Sequence, residues 1–464
     1  MGKVGQEGVW VMSRKNKTMK SRQMNPTRII ALSFAGIILL GTLLLMLPIA
    51  SRDGVSCSLI KALFTATSAT CVTGLVLADT WTQWSAFGQV VIITLIEIGG
   101  LGFMSAASVV IFMFRRKIGL RQRMIMAQAI SVDDMQSVVK LQKWVILGSV
   151  TIQACGALIL FFRFLPEYGP ARALAWGGFH AVSAFCNAGF DIFGRIAPGQ
   201  SLAVFNNDPV ILLTLCGLVV LGGLGFLVWE EVIRVKRFKK FSVYTKLVLI
   251  STGVLLVGGA MAILLLEWNN PQTLGNMPWW QKILNSLFQS VTLRTAGFAS
   301  FDQAMLTDAG KVVSILLMLV GGSSGSTAGG AKTVTFVVLL LFIGTRLRGR
   351  TTVTAYKHSI LPEKVMDAMM IVSVMLGLSL FGALVICTTS PVGFLDGLYE
   401  AVSALATVGL TAGVTPILSL PAQLLIILFM YFGRVGILTL SLGFLMGDRA
   451  EERFRYAHTN LLIG

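Results

Sequence analysis

The chain reads as an all-α integral membrane protein made of four repeated units: transmembrane helix, re-entrant half-helix, glycine-bearing loop, transmembrane helix. Three observations predict this. Mean hydropathy is +0.78, and 55% of the 464 residues are apolar against 13% charged, a membrane composition. Eight apolar stretches have the length of about 20 residues that a helix needs to cross a hydrocarbon core. One seven-residue pattern returns four times, as ATCVTGL (69–75), AFCNAGF (184–190), TLRTAGF (292–298) and ALATVGL (404–410). Glycine is sixth in each, and successive glycines lie 115, 108 and 112 residues apart.

Residues 1–27 form a basic tail, and the first unit covers 28–123. Its opening apolar run, 28–49, is longer than the apolar core of a signal peptide. It lacks a small-x-small cleavage site, so it is expected to stay as a span. The stretch 58–69 is too short to cross and is predicted to re-enter, running directly into Gly74; the second span is 86–114. The second unit (137–240) repeats this order with 144–165, 173–184, Gly189 and 209–230. The third (243–350) has 246–267, 280–292, Gly297 and 312–343. The fourth (364–447) has 366–388, 394–405, Gly409 and 421–446, followed by a tail, 448–464. Ten residues before each glycine stands a large apolar residue: Phe64, Phe179, Leu287 or Tyr399. Six before it, three copies carry Ser68, Ser183 and Ser403. No stretch remains for a separate soluble domain.

The net charge of +17 is explained by topology. Of the 38 Lys and Arg residues, 28 lie at the termini or in the segments joining one unit to the next, such as RRKIGLRQR (115–123) and RVKRFKKFSVYTK (234–246). The segments within each unit, on the opposite side, hold eight Lys/Arg against ten Asp/Glu. This asymmetry predicts a multi-pass protein of the cytoplasmic membrane with both termini and the inter-unit loops cytoplasmic, in contact with anionic lipid. No zinc spacing or aromatic-interleaved basic stripe calls for nucleic acid.

Enzymatic motifs fail on spacing. GGSSGSTAGGAKT (321–333) resembles a phosphate loop, but Ala331 separates Gly330 from Lys332 and no strand precedes it. The GGLGF copies (99–103 and 222–226) lack the dinucleotide glycine spacing. His180, His358 and His458 stand apart from any nucleophile, and the six cysteines show no metal spacing, so no enzyme and no resident cofactor is expected.

What the repeats can do is hold a cation. Backbone carbonyls around four glycines, arranged about one pseudo-four-fold pore, would replace the hydration shell of a dehydrated ion. The candidate contributors are Cys71, Val72, Thr73 and Gly74; Cys186, Asn187, Ala188 and Gly189; Arg294, Thr295, Ala296 and Gly297; and Ala406, Thr407, Val408 and Gly409. The residues before the glycines differ, so discrimination looser than in a symmetric channel is expected. Each half-helix ends at its loop, which aims the negative end of its dipole at the path. Arg294 is expected to point behind the loop, toward a carboxylate or carbonyls.

The second spans carry their own repeat, GGLGF (99–103), GGLGF (222–226), GGSSG (321–325) and GRVGI (433–437). In the first two copies the small residues read as close helix packing. In the third, Gly321, Gly322, Ser323, Ser324, Gly325, Ser326, Thr327, Ala328, Gly329 and Gly330 will not hold a continuous helix, and a break at membrane depth implies a lined cavity. Lys332 reads equally as a snorkelling cation or a gate residue. Arg434 replaces a glycine deeper in its span and reads as functional, with Glu97 as a candidate partner for either cation. The broken segment and Arg434 together form a candidate gate.

Four such units, a filter glycine in each, a Gly/Ser break in the third and an arginine in the last resemble the Trk/Ktr/HKT superfamily of potassium transporters, from about residue 28 to the end. With only a basic tail before the first unit, the chain is most similar to the Ktr-type membrane subunit, KtrB, and its NLLIG ending resembles that type too. The resemblance implies K⁺ as cargo at the filter carbonyls, a homodimer with one pore per protomer, and a cytosolic ring of nucleotide-binding KtrA-type subunits. Sodium-preferring members often carry serine at the first filter glycine, where this chain keeps Gly74. Activation by Na⁺ is a question the resemblance raises and the residues leave open. Two other readings stand beside potassium uptake: a sodium-permeable member of the superfamily, and an alternating-access carrier. The carrier is opposed by four units that all lie the same way up.

Overall fold

The computed structural model describes residues 26–102 and 138–436. The basic tail up to residue 25, the RRKIGLRQR segment, the later parts of the first and fourth second spans, and the tail 448–464 lie outside the described residues. The described residues are mostly helical; the one sheet among them is a hairpin pairing Thr354–Ala355 with His358–Ser359.

The expected order of elements recurs four times. Long apolar helices open each unit: Pro26–Leu45, Val138–Tyr168, Val243–Glu267 and Pro362–Thr389. These four are long and apolar enough to cross a membrane. They carry Leu, Val and Phe outward, with Leu265 74% and Phe162 65% exposed, the surface expected of helices facing lipid. Each is followed by a half-helix, Leu59–Thr70, Pro170–Phe185, Trp279–Thr292 or Phe394–Leu405, which packs against the long helix of its own unit.

The second spans depart from the sequence reading. Continuous helices were expected over 86–114, 209–230 and 421–446, broken only at 321–330; the helices instead stop in every copy. They run Ala86–Leu101, Pro209–Leu224, Asp308–Leu319 and Leu420–Val435. Three are ended by Gly102, Gly225 and Gly436 at φ of 84°, 95° and 93°, a conformation that leaves the helical region and that glycine alone adopts cheaply. Beyond Gly225 the chain turns by 95° into a second helix, Phe226–Val235. Close packing holds for the earlier glycines of the same motifs. A Cβ on Gly99, Gly222 or Gly433 would collide with the carbonyl of Thr70, Phe185 or Leu405, each four residues before a loop glycine.

The units close on themselves. The second helix of each unit packs against the half-helix of the next: Ala86–Leu101 on Pro170–Phe185, Pro209–Leu224 on Trp279–Thr292, and Asp308–Leu319 on Phe394–Leu405. Leu420–Val435 then returns to Leu59–Thr70. An ion pair, Lys311 to Asp396 at 2.6 Å, ties the third such joint.

Candidate functional site: the glycine ring and the broken segment

The four glycine loops share one backbone. After each half-helix, the residue two before the glycine takes a left-handed conformation: Val72 (φ 57°), Asn187 (59°), Thr295 (66°) and Thr407 (52°). The glycines follow at 101°, 68°, 82° and 93°. For β-branched residues such as Val72, Thr295 and Thr407 this costs about 1–3 kcal/mol each and persists only where surroundings impose it. Those surroundings are in place. Backbone amides of Thr73, Ala188 and Val408 donate to the carbonyls of Ser68, Ser183 and Ser403 at 2.7–2.8 Å, and Ala296 donates to Thr292 at 2.9 Å.

The serines six before the glycine act as second anchors. Ser68 and Ser403 hydroxyls accept from the amides of Gly74 and Gly409 (3.0 and 3.1 Å), and Ser183 donates to the Phe190 carbonyl at 2.7 Å. The third unit lacks that serine and substitutes Thr292, whose hydroxyl donates to Phe298 at 2.7 Å.

The glycines form a ring in chain order. A Cβ on Gly74 would stand 2.6 Å from the Ala188 carbonyl oxygen, one on Gly189 2.7 Å from Ala296, and one on Gly297 2.6 Å from Val408. One on Gly409 would meet the Thr73 oxygen closer still. Each glycine thus faces the carbonyl preceding the next glycine, and the fourth faces the first. A left-handed residue directly precedes each residue whose carbonyl is faced in this way. The sequence reading missed its conformation, because Val and Thr carry no local signal for positive φ.

The Gly/Ser segment of the third unit lies against this ring. Val320 and Ala331 form a parallel bridge that closes it into a loop, with Gly321 accepting from Thr333 Oγ1 and Gly322 accepting from the Thr333 amide. Ser323 and Thr327 donate their amides to Gly223 and Gly222, and Gly325 accepts from Phe226, all in the second unit. Thr327 Oγ1 donates to the Phe185 carbonyl at 3.0 Å, Ser326 closes onto Ser323, and Ser324 accepts from the Tyr244 hydroxyl at 3.0 Å. Gly329 and Gly330 abut Thr407 and Ala406 of the fourth loop so closely that neither has room for a Cβ.

Three cations meet the segment. Arg434 donates to the carbonyls of Thr327, Gly99 and Gly100, the last at 2.9 Å, so one guanidinium bridges the segment to the end of the first unit's second helix. Those helix-terminal carbonyls carry the negative end of a dipole and offset its charge. Arg294 donates to Thr333 Oγ1 (3.0 Å) and the Gly321 carbonyl (3.4 Å). Lys332 turns back on the segment to the Ala328 carbonyl at 2.9 Å. Glu97 is not the partner of Lys332 or Arg434: its carboxylate accepts from Gln153 Nε2 (2.9 Å) and Cys186 Sγ (3.3 Å). It sits two residues before Gly99, whose own carbonyl Arg434 uses.

Two residues beyond Gly189, Asp191 accepts from the Phe193 amide at 3.2 Å. Burial, then the charge of Asp79, push its carboxyl up to about 6. A carboxyl raised on folding adds stability that is complete below its unfolded value near 3.8 and lost as pH rises through about 6. Thermal midpoints in detergent are therefore expected to fall as pH rises from 3.8 to about 6, and to fall less in Asp191→Asn. Parallel midpoint profiles for the two proteins would remove this assignment.

The family described as "TrkH: Cation transport protein" matches residues 4–453. The chain is 39% identical over 448 residues to the potassium/sodium uptake protein NtpJ of Enterococcus hirae, covering 96% of this chain and 98% of that protein. It is 38% identical over 441 residues to the Ktr system potassium uptake protein B of Bacillus subtilis, covering 95% and 98%. The crystal structure of the potassium transporter TrkH from Vibrio parahaemolyticus superposes with a TM-score of 0.69 at 18% identity, over 92% of this chain and 86% of that one, a likeness of fold.

Proposed function

From the premise that the chain belongs to the TrkH family of cation transport proteins, we propose that it is the channel-like translocating subunit of a Ktr-type potassium uptake system. The observation that carries this reading is the closed ring, in which each of four glycines faces the carbonyl of the next loop. In it, inward carbonyls of Thr73, Ala188, Ala296 and Val408, with those of neighbouring loop residues, replace the water around a dehydrated K⁺. The segment 321–330, Lys332 and Arg434 bar the path beside the ring and form its gate.

A second reading, permeation by Na⁺ as well, is favoured by the unlike residues that precede the glycines (Thr73, Ala188, Ala296 and Val408), since unlike sites fit one ion radius less strictly. Flux of K⁺ and Na⁺ into liposomes holding the purified protein separates the two. Rapid K⁺ flux with little Na⁺ supports the potassium reading, equal fluxes support the second, and flux of neither overturns both.

Control would come from the cytosol. Tyr244, whose hydroxyl holds Ser324, stands in the basic stretch 234–246 that also begins a long helix. A ring of KtrA-type nucleotide-binding subunits docked on this and the other basic loops would move the gate segment through it, on a homodimer of the membrane subunit. Purified protein is expected to bind its cognate cytosolic subunit and to pass K⁺ at different rates with ATP and ADP. No binding, with flux indifferent to both nucleotides, would exclude this control.

A further inference from the structure

Glu400 is a carboxylate with no exposed surface in the fourth half-helix, nine residues before Gly409, and neither the path nor the gate uses it. Burying a carboxylate is costly unless its oxygens are satisfied, so its partners indicate what it is kept for. Its Oε2 accepts from Thr411 Oγ1 at 2.8 Å and its Oε1 from Thr415 Oγ1. Thr411 Oγ1 in turn accepts from the amides of Val414 (3.1 Å) and Thr415 (3.3 Å). One side chain on a rigid helix thus fixes residues 411–415, the outer arm directly beyond Gly409.

The matching position in the second unit does the same with different chemistry. His180 stands nine before Gly189 and is fully buried. Its Nδ1 lies 2.7 Å from the Trp176 carbonyl, which can only accept, so Nδ1 carries the proton. Nε2 is then a free acceptor for the Ile192 amide at 3.3 Å, three residues beyond Gly189. The first and third units place Thr65 and Phe288 there. Thr65 spends its hydroxyl on Lys61 of its own helix, and Phe288 has none. The third arm is tied from other positions, by Thr292 to the Phe298 carbonyl and by Gln289 to Gln303. A clamp nine residues before the glycine belongs to the second and fourth units, which stand diagonally across the ring.

We propose that Glu400 is a positioning residue for ion selection: with His180 opposite, it holds the outer arms of two diagonal loops at fixed distance from the path. The inference rests on the glycine-ring reading, because a clamp matters to selection only if the ring selects. Fixed carbonyl spacing distinguishes K⁺ from the smaller Na⁺, and a loosened arm lets carbonyls close on Na⁺.

The test is the K⁺/Na⁺ flux ratio in liposomes for the full chain, with Gly189→Ser measured alongside. Glu400→Ala is expected to lower the ratio about tenfold, the scale of one buried hydrogen-bonding arrangement lost. Glu400→Gln, which keeps one acceptor oxygen, should recover part of it; a merely structural role would change protein yield and leave the ratio alone. A ratio lowered by Gly189→Ser but unmoved by Glu400→Ala overturns this inference alone. A ratio unmoved by both overturns the ring reading and the clamp together. If Glu400→Ala does not fold, Thr411→Val and Thr415→Val carry the test, with serine at each position as the rescue, and unchanged ratios there overturn it equally.

Discussion

Gly409→Ser is expected to abolish most discrimination between K⁺ and Na⁺, and Gly74→Ser to weaken it strongly. Two costs add at Gly409. Its φ of 93° is strained for any side chain, at about 1–3 kcal/mol. A Cβ there would also overlap the Thr73 carbonyl oxygen and approach the Gly74 Cα. On the proposed filter reading that oxygen faces the ion, so the strain would relax by moving the selecting atoms. Since 1.4 kcal/mol is a factor of ten, a ratio lower by about tenfold or more is expected from Gly409→Ser. At Gly74 the added atom meets Ala188 at 2.6 Å, and the same displacement falls on the second loop. K⁺/Na⁺ flux ratios in liposomes, with folding checked by size exclusion, decide it. Wild-type ratios in serine variants at all four glycines would leave the ring without a selecting role.

Removal of the guanidinium in Arg434→Ala should raise K⁺ flux in the absence of any cytosolic subunit and blunt its response to one. Arg434 holds three carbonyls, Thr327 in the segment and Gly99 and Gly100 in the first unit. Hydrogen bonds from a charged donor are worth about 1.5–3 kcal/mol each, so their loss frees the segment from one of its walls. On the proposed gate reading it would also remove a positive charge whose field repels K⁺. Arg434→Lys separates the effects, keeping the charge but not the fork. Flux nearer to wild type in lysine than in alanine assigns the barrier to charge; flux alike in both assigns it to the bracket. Shortening the loop within 322–329 should mimic alanine. Normal, regulated flux in alanine and in the shortened loop would reduce these residues to packing.

Much of the candidate site was legible because it is written in short-range patterns. The recurring glycine, the serine six before it and the apolar residue ten before it are spacings along one half-helix and loop, and the structure uses the serines as anchors. A run with five glycines in ten residues cannot stay helical, and 321–330 does not. The breaks at Gly102, Gly225 and Gly436 were not legible: GGLGF reads equally well as close packing, and in the structure its glycines do both.

By itself, the sequence determined that this is a membrane-crossing chain of four like units with a glycine loop in each, because hydropathy, spacing and charge asymmetry are properties of the chain taken locally. Only the tertiary structure decided which atoms meet. Arg434 finds its acceptors 107, 334 and 335 residues away, Glu97 turns to Gln153 and Cys186, and four non-glycine residues are driven to positive φ by the ring they complete. Such pairings depend on how the second helix of one unit docks on the half-helix of the next. That geometry is set by the packing of the whole closed ring, and no window of sequence contains it.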